Sequence, residues 1–283
     1  MSVRSSWQVP ASGLERWVGV QRNLTNEEVY MTIAQGIGLF LAAIVGGTMN
    51  AVAGGGSFIT FPTLYASGIP AISANATSTV SLWPGAVASI GAYRGKLKDR
   101  KRVILLVVAS LIGGLFGAQI LLRTPQATFL SLVPWLLLAA TLLFAFGGRL
   151  TASLREGITS RPAHPVVTTI LLMVMQFIIA TYGGFFGGGI GILMLAVFSV
   201  AGMQDINSMN ALKVVLAASI NGIAVLSFII AGAVVWQAAA VMVVGAVIGG
   251  YGGASVARRL DPRIVRGFVI VVGCAVTLYF FVR

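Results

Sequence analysis

The chain has 283 residues, 57 % of them hydrophobic and only 9 % charged, with a mean hydropathy of +0.94. A soluble domain with so little charge cannot cover its surface, so the chain reads as integral to a membrane. Its net charge of +12 falls mostly in short loops between apolar runs. There Lys and Arg set orientation across a bilayer, and no nucleic-acid partner is expected.

Residues 1–29 form a charged N-terminal extension without the apolar core of a cleavable signal peptide. Trp7, Leu14, Trp17 and Val18, interleaved with Arg16 and Arg22, fit either a helix lying on the membrane surface or a disordered tail. Five apolar segments follow within 30–147: about 31–53, a short one at 57–69, then 73–93, 103–122 and 128–147. A charged linker, 148–165, separates them from a second set within 166–283. That set spans about 166–186, a short 190–202, then 208–231, 235–257 and 263–282. The fold class expected is an all-α polytopic membrane protein. It has about eight transmembrane helices and two segments too short to cross, which read as half-helices or re-entrant segments.

The two sets read as a duplication. Gly54, Gly55 and Gly56 recur as Gly187, Gly188 and Gly189, each triplet just ahead of a short segment. Asn75-Ala76 pairs with Asn210-Ala211, and Ile112-Gly113-Gly114 pairs with Ile248-Gly249-Gly250. The densest basic loop, from Arg94 to Arg102, is expected to be cytoplasmic. Arg258, Arg259, Arg263 and Arg266 mark a second cytoplasmic loop, whose counterpart in the first half holds only Arg123. Matching loops then face opposite sides, so the halves are expected to be inverted repeats with both termini periplasmic. Glycines four apart, Gly113/Gly117 and Gly245/Gly249/Gly253, are expected to let helices pack closely. The triplets are costly inside a helix and read as functional breaks.

Chemistry is expected at those breaks. A half-helix after an unwound segment leaves backbone N–H groups free at the positive end of its dipole, which suits an anion. In the first half Asn50 precedes the triplet, Ser57 and Thr60 follow it, and Ser73, Asn75, Thr77, Ser78, Thr79 and Ser81 open the next segment. These hydroxyls and amides suit a cavity that replaces a hydration shell, or they bond back to their own helix carbonyls. The second half offers Asn207, Asn210, Lys213 and Asn221. Lys213 either faces a pathway or snorkels to the cytoplasmic interface. All seven acidic residues lie in loops or at segment ends, so no buried carboxylate relay or cation cage is visible.

Enzymatic readings fare poorly. Ser57 has no base, because the single histidine, His164, sits in the charged linker. One cysteine, Cys274, and one histidine give no metal site or disulfide framework, and no GxxxxGK[ST] motif supports an ATP-driven pump. No cofactor is expected.

The run Gly46-Gly47-Thr48-Met49-Asn50-Ala51-Val52-Ala53-Gly54-Gly55-Gly56-Ser57-Phe58, followed by Pro62, Gly68, Ile69, Pro70 and Ala74-Asn75-Ala76-Thr77, resembles the TauE/SafE sulfite exporter family. Gly184-Phe185-Phe186-Gly187-Gly188-Gly189-Ile190-Gly191 and Asn210-Ala211-Leu212-Lys213 resemble that family's repeat. The resemblance implies a bacterial inner-membrane secondary transporter, read here as an exporter, of sulfite, sulfonates or related small organosulfur anions. An anion channel or a non-transporting membrane scaffold is the alternative. The expected substrate-binding residues are Asn50, Gly54, Gly55, Gly56, Ser57, Asn75, Thr77 and Ser78 in one half-site, and Gly187, Gly188, Gly189, Asn210 and Lys213 in the other.

Overall fold

A computed structural model describes residues 31–52, 55–90, 99–157, 165–203, 205–253 and 262–282. The N-terminal extension, Gly54, most of the Arg94–Arg102 loop, His164 and the Arg258–Arg259 loop lie outside them. Every regular element among the described residues is helical. The first half contributes α1 (Ile33–Val52), α2 (Ser57–Ala66), α3 (Ala71–Ile90), α4 (Arg100–Arg123) and α5 (Gln126–Gly157). The second contributes α6 (Pro165–Phe185), α7 (Ile190–Val200), α8 (Ile206–Ile230), α9 (Trp236–Ile248) and α10 (Pro262–Val282). A π-helical turn, Gly249–Gly253, continues α9.

Local chemistry sets most helix ends. Asp99 accepts from the Arg102 N–H at 3.1 Å and caps α4, while Asp205 accepts from Asn207 and Ser208 N–H at 3.1 and 3.2 Å and caps α8. Helices α2 and α7 stop in the same way. Gly68 and Gly202 adopt φ of +90° and +82°, and the following N–H reaches back to Leu64 O and Phe198 O. That left-handed turn suits glycine, which has no Cβ to clash. At 10 and 11 residues, α2 and α7 are about 15 Å long, half of what a bilayer core demands.

Among the described residues, five helices are long and apolar enough to cross a membrane: α1, α4, the Gln126–Gly147 part of α5, α6 and α8. Helix α5 itself runs on to Gly157, ten residues beyond its apolar part and into the expected linker. Helices α9 and α10 are apolar over shorter stretches. Helix α3 carries Ser73, Asn75, Thr77, Ser78 and Ser81, all buried in protein. Large apolar side chains such as Ile104, Ile112 and Phe116 on α4 and Ile170, Leu171 and Val174 on α6 point away from the bundle. These faces suit lipid, where no water must be excluded.

The helix partners have an order. Helix α4 packs on α6 as α9 packs on α1, α4 meets α8 as α9 meets α3, and α5 meets α7 as α10 meets α2. The pairs α3–α8 and α5–α10 join the halves. Small residues carry the closest approaches, as expected from their spacing. A Cβ on Gly113 would lie 2.6 Å from Phe177 O, and one on Gly117 would collide with Thr181 O. Across the other interface, a Cβ on Gly245 would lie 2.6 Å from Phe40 O, and one on Gly249 would collide with Ile44 O.

These contacts correct the repeat alignment. Gly113 plays the part of Gly245 and Gly117 that of Gly249, so the sequence pairing of Gly113 with Gly249 is one helical turn out of register. Small residues every four positions fit either register in sequence, and only the partner backbone decides. The core gathers around Phe61, whose ring stands edge-on to Phe129 and Phe186 and stacks on Phe280 at 5.8 Å. A second cluster lies where α4, α6, α7 and α8 meet.

Candidate functional site

The first break joins α1 to α2. Gly55 is buried behind Phe144 of α5 and Val269 of α10, which would sit 3.3 and 3.2 Å from a Cβ placed on it. Gly56 precedes α2 with φ −57° and ψ −34°, and a Cβ there would collide with the Gly46 carbonyl. Glycine is thus required at Gly56 by close approach. Its carbonyl accepts from Ile59 and Thr60 N–H, each at 3.2 Å, and from Thr60 Oγ1 at 3.1 Å. Thr60 Oγ1 also shares a 2.6 Å hydrogen bond with Ser78 Oγ on α3. Asn50 and Ser57 flank the break and are half-buried.

Helix α3 brings its polar residues to several places. Asn75 Nδ2 donates to Phe185 O at 3.2 Å, so it reaches from the first half to the end of α6. Thr77 Oγ1 accepts from Val235 N–H at 3.0 Å, just ahead of α9. Thr79 and Ser81 bond back to the carbonyls of Asn75 and Thr77 at 2.9 and 2.7 Å. Back-bonding therefore explains those two hydroxyls, whereas Asn75, Thr77 and Ser78 link separate helices.

The second break joins α6 to α7 and is described throughout. Gly187 and Gly189 adopt φ of +83° and +78°, which glycine permits without strain. Tyr182 O accepts from Phe186 N–H at 2.9 Å and Gly187 N–H at 3.3 Å. The Tyr182 hydroxyl donates to Gly188 O at 2.8 Å, and Gly189 O accepts from Ile192 N–H at 3.0 Å. The carbonyls of Phe185, Gly188 and Gly189 are thus all engaged. By contrast, the N–H groups of Gly188 and Gly189 have no protein acceptor among the described residues.

Lys213 of α8 lies over this helix start. Its Cδ is 3.2 Å from where a Cβ on Gly191 would be, so the missing side chain makes room for the lysine stem. Lys213 is half-buried, and no carboxylate pairs with it among the described residues. Asn210, one turn earlier, is half-buried as well. The ammonium and the free N–H groups all favour negative charge, and a broken helix in a transporter uses its half-helix N-terminus in this way. No cluster of potential metal ligands occurs among the described residues.

Three polar residues were not singled out by sequence reasoning. Tyr182 closes the second break, and its only signal was a hydroxyl-bearing ring five residues ahead of the glycines. Gln126 caps α3 from the start of α5, its Oε1 accepting from Ile72 N–H at 3.1 Å. Gln176 is buried between α4 and α7, donating to Ser110 Oγ at 2.8 Å and to Met194 Sδ at 3.8 Å. Neither glutamine has a pattern that marks it in sequence.

Known proteins narrow the reading. The chain is 27 % identical over 241 residues to a Haemophilus influenzae "Probable membrane transporter protein", covering 84 % of this chain and 91 % of that one. It is 26 % identical over 244 residues to "Probable membrane transporter protein ORF9" of Sinorhizobium sp, covering 85 % and 90 %. It is 26 % identical over 241 residues to Escherichia coli "Probable membrane transporter protein YfcA", covering 84 % and 87 %. No solved structure matches. The family described as Sulfite exporter TauE/SafE matches residues 39–280, from within α1 to within α10 and across both breaks. With its apolar helices and their outward faces, the chain is a multi-pass membrane transporter and belongs to the TauE/SafE family.

Proposed function

We propose that this transporter moves sulfite, sulfonates or related small organosulfur anions across the bacterial inner membrane by secondary transport, in the direction of export. The observation that carries the reading is the polarity of the second break. Carbonyls at Phe185, Gly188 and Gly189 are taken by protein donors, while the Gly188 and Gly189 N–H groups have no protein acceptor among the described residues and the Lys213 side chain lies over the start of α7. Tetrahedral or pyramidal oxyanions present several acceptors on one small centre, which suits converging N–H donors. Asn210 completes this half-site. At the first break Asn50, Gly54, Gly55, Gly56 and Ser57 form the other half-site, framed by Asn75, Thr77 and Ser78.

The reading includes two inverted repeats, 30–147 and 166–283, that rock against each other around the breaks. The exchange of helix partners between halves supports it, as does the distribution of basic loops. In this arrangement the linker is cytoplasmic and both termini periplasmic. Uptake into proteoliposomes of sulfite, sulfoacetate, taurine, thiosulfate and sulfate tests the assignment. Saturable uptake with counterflow of sulfite or a sulfonate is the expected result. Unsaturable flux indicates a channel, and no flux of any of these anions refutes the substrate class.

A further inference from the structure

The Gly188–Gly189 peptide decides what the second break offers a ligand. In a trans peptide the C=O and N–H point in opposite directions, and the described residues contain no cis bond. Whichever side the Gly188 carbonyl faces, the Gly189 N–H therefore faces the other. Glycine on both sides makes a flip of this unit cheap, because neither residue has a Cβ to disfavour the alternative dihedrals. Unconstrained, the break can present a carbonyl, which attracts cations, as readily as an N–H, which attracts anions. Some other group must choose.

We infer that Tyr182 is that group: its hydroxyl ties down the Gly188 carbonyl and so turns the Gly189 N–H toward the ligand, making it the positioning residue that sets the break for anions. The bond is 2.8 Å long and spans the loop from α6. Tyr182 O holds Phe186 and Gly187 N–H as well, so one residue governs both the entry and the middle of the break. The Tyr182 ring lies against Phe186 with centroids 6.5 Å apart and packs on both core clusters, which fixes the hydroxyl in place. At the first break the described bond to a glycine carbonyl is a different one. There a threonine hydroxyl, Thr60 Oγ1, meets the Gly56 carbonyl.

This inference rests on the anion reading above, and Tyr182→Phe tests it because the ring and its packing remain. Dissociation constants for sulfite and methanesulfonate, unfolding midpoints in detergent and the carbonyl 13C signal of Gly188 are compared with those of the unaltered protein. Expected are an unchanged midpoint, a moved Gly188 signal in the absence of any anion, and affinity weaker by about 2- to 13-fold. That range is the equivalent of a neutral hydrogen bond's net 0.5–1.5 kcal/mol, about. An unmoved Gly188 signal overturns the inference, with or without ligand. So does an unchanged affinity, or an affinity loss matched by a lower midpoint, which makes the hydroxyl a support of the fold alone. If the unaltered protein binds neither anion while the Gly188 signal still moves, the substrate class fails and the peptide's control by Tyr182 stands.

Discussion

Replacing Lys213 by methionine separates charge from packing at the second break. Methionine keeps an unbranched stem of similar length against Gly191, where the lysine Cδ now lies 3.2 Å from the position a Cβ would take. What is lost is the ammonium, which has no carboxylate partner among the described residues to repay its removal from water. An unpaired charge kept half-buried in an apolar helix bundle is a cost to folding, so Lys213→Met should unfold at a higher temperature than the unaltered protein. Binding should move the other way. A hydrogen bond from a charged donor is worth about 1.5–3 kcal/mol. Losing it weakens anion affinity about 10- to 150-fold, since 1.4 kcal/mol is a factor of ten. Lys213→Arg keeps the charge but changes its shape and reach, and should retain partial affinity. Titration calorimetry with sulfite and methanesulfonate, alongside thermal unfolding in detergent, reads both effects. An unchanged dissociation constant in Lys213→Met refutes the reasoning and returns the residue to a snorkelling role.

Other outcomes follow from the same geometry. Gly55→Leu forces a branched chain against Phe144 and Val269, and Gly188→Leu against Phe186 and Ala140, so both should abolish uptake in proteoliposomes while still inserting in the membrane. Near-normal uptake from both would reduce the breaks to packing devices. Gly117→Ala drives a methyl into Thr181 O and to 2.9 Å from Phe185 N, and overpacking of this kind costs about 1–3 kcal/mol, read as a lower unfolding midpoint. Topology tags should report residues 94–102 on the cytoplasmic side and both termini on the periplasmic side. Termini on opposite faces would end the inverted-repeat reading.

Much of this protein was legible before any fold was known, because the physics involved is local. A run of some twenty apolar residues has one way to satisfy its backbone in lipid, so the helices could be placed within a few residues of Ile33–Val52, Arg100–Arg123 and Ile206–Ile230. Three glycines ahead of a short apolar run announce a break. The basic loops set the expected orientation, and the confinement of acidic residues to loops and segment ends argued against a cation cage, for similarly local reasons. Tertiary structure decided what depends on which helix meets which. The register of α4 against α6, and of α9 against α1, could be read one turn off, because glycines four residues apart fit two registers equally. Asn75 meets Phe185 O across 110 positions and Thr77 meets Val235 N–H across 158, distances at which sequence pattern carries no information. The carbonyls occupied at the second break were equally hidden. Asn75 reaches Phe185 O only once α3 lies beside α6, and Tyr182 reaches Gly188 O only once the loop after α6 has folded back.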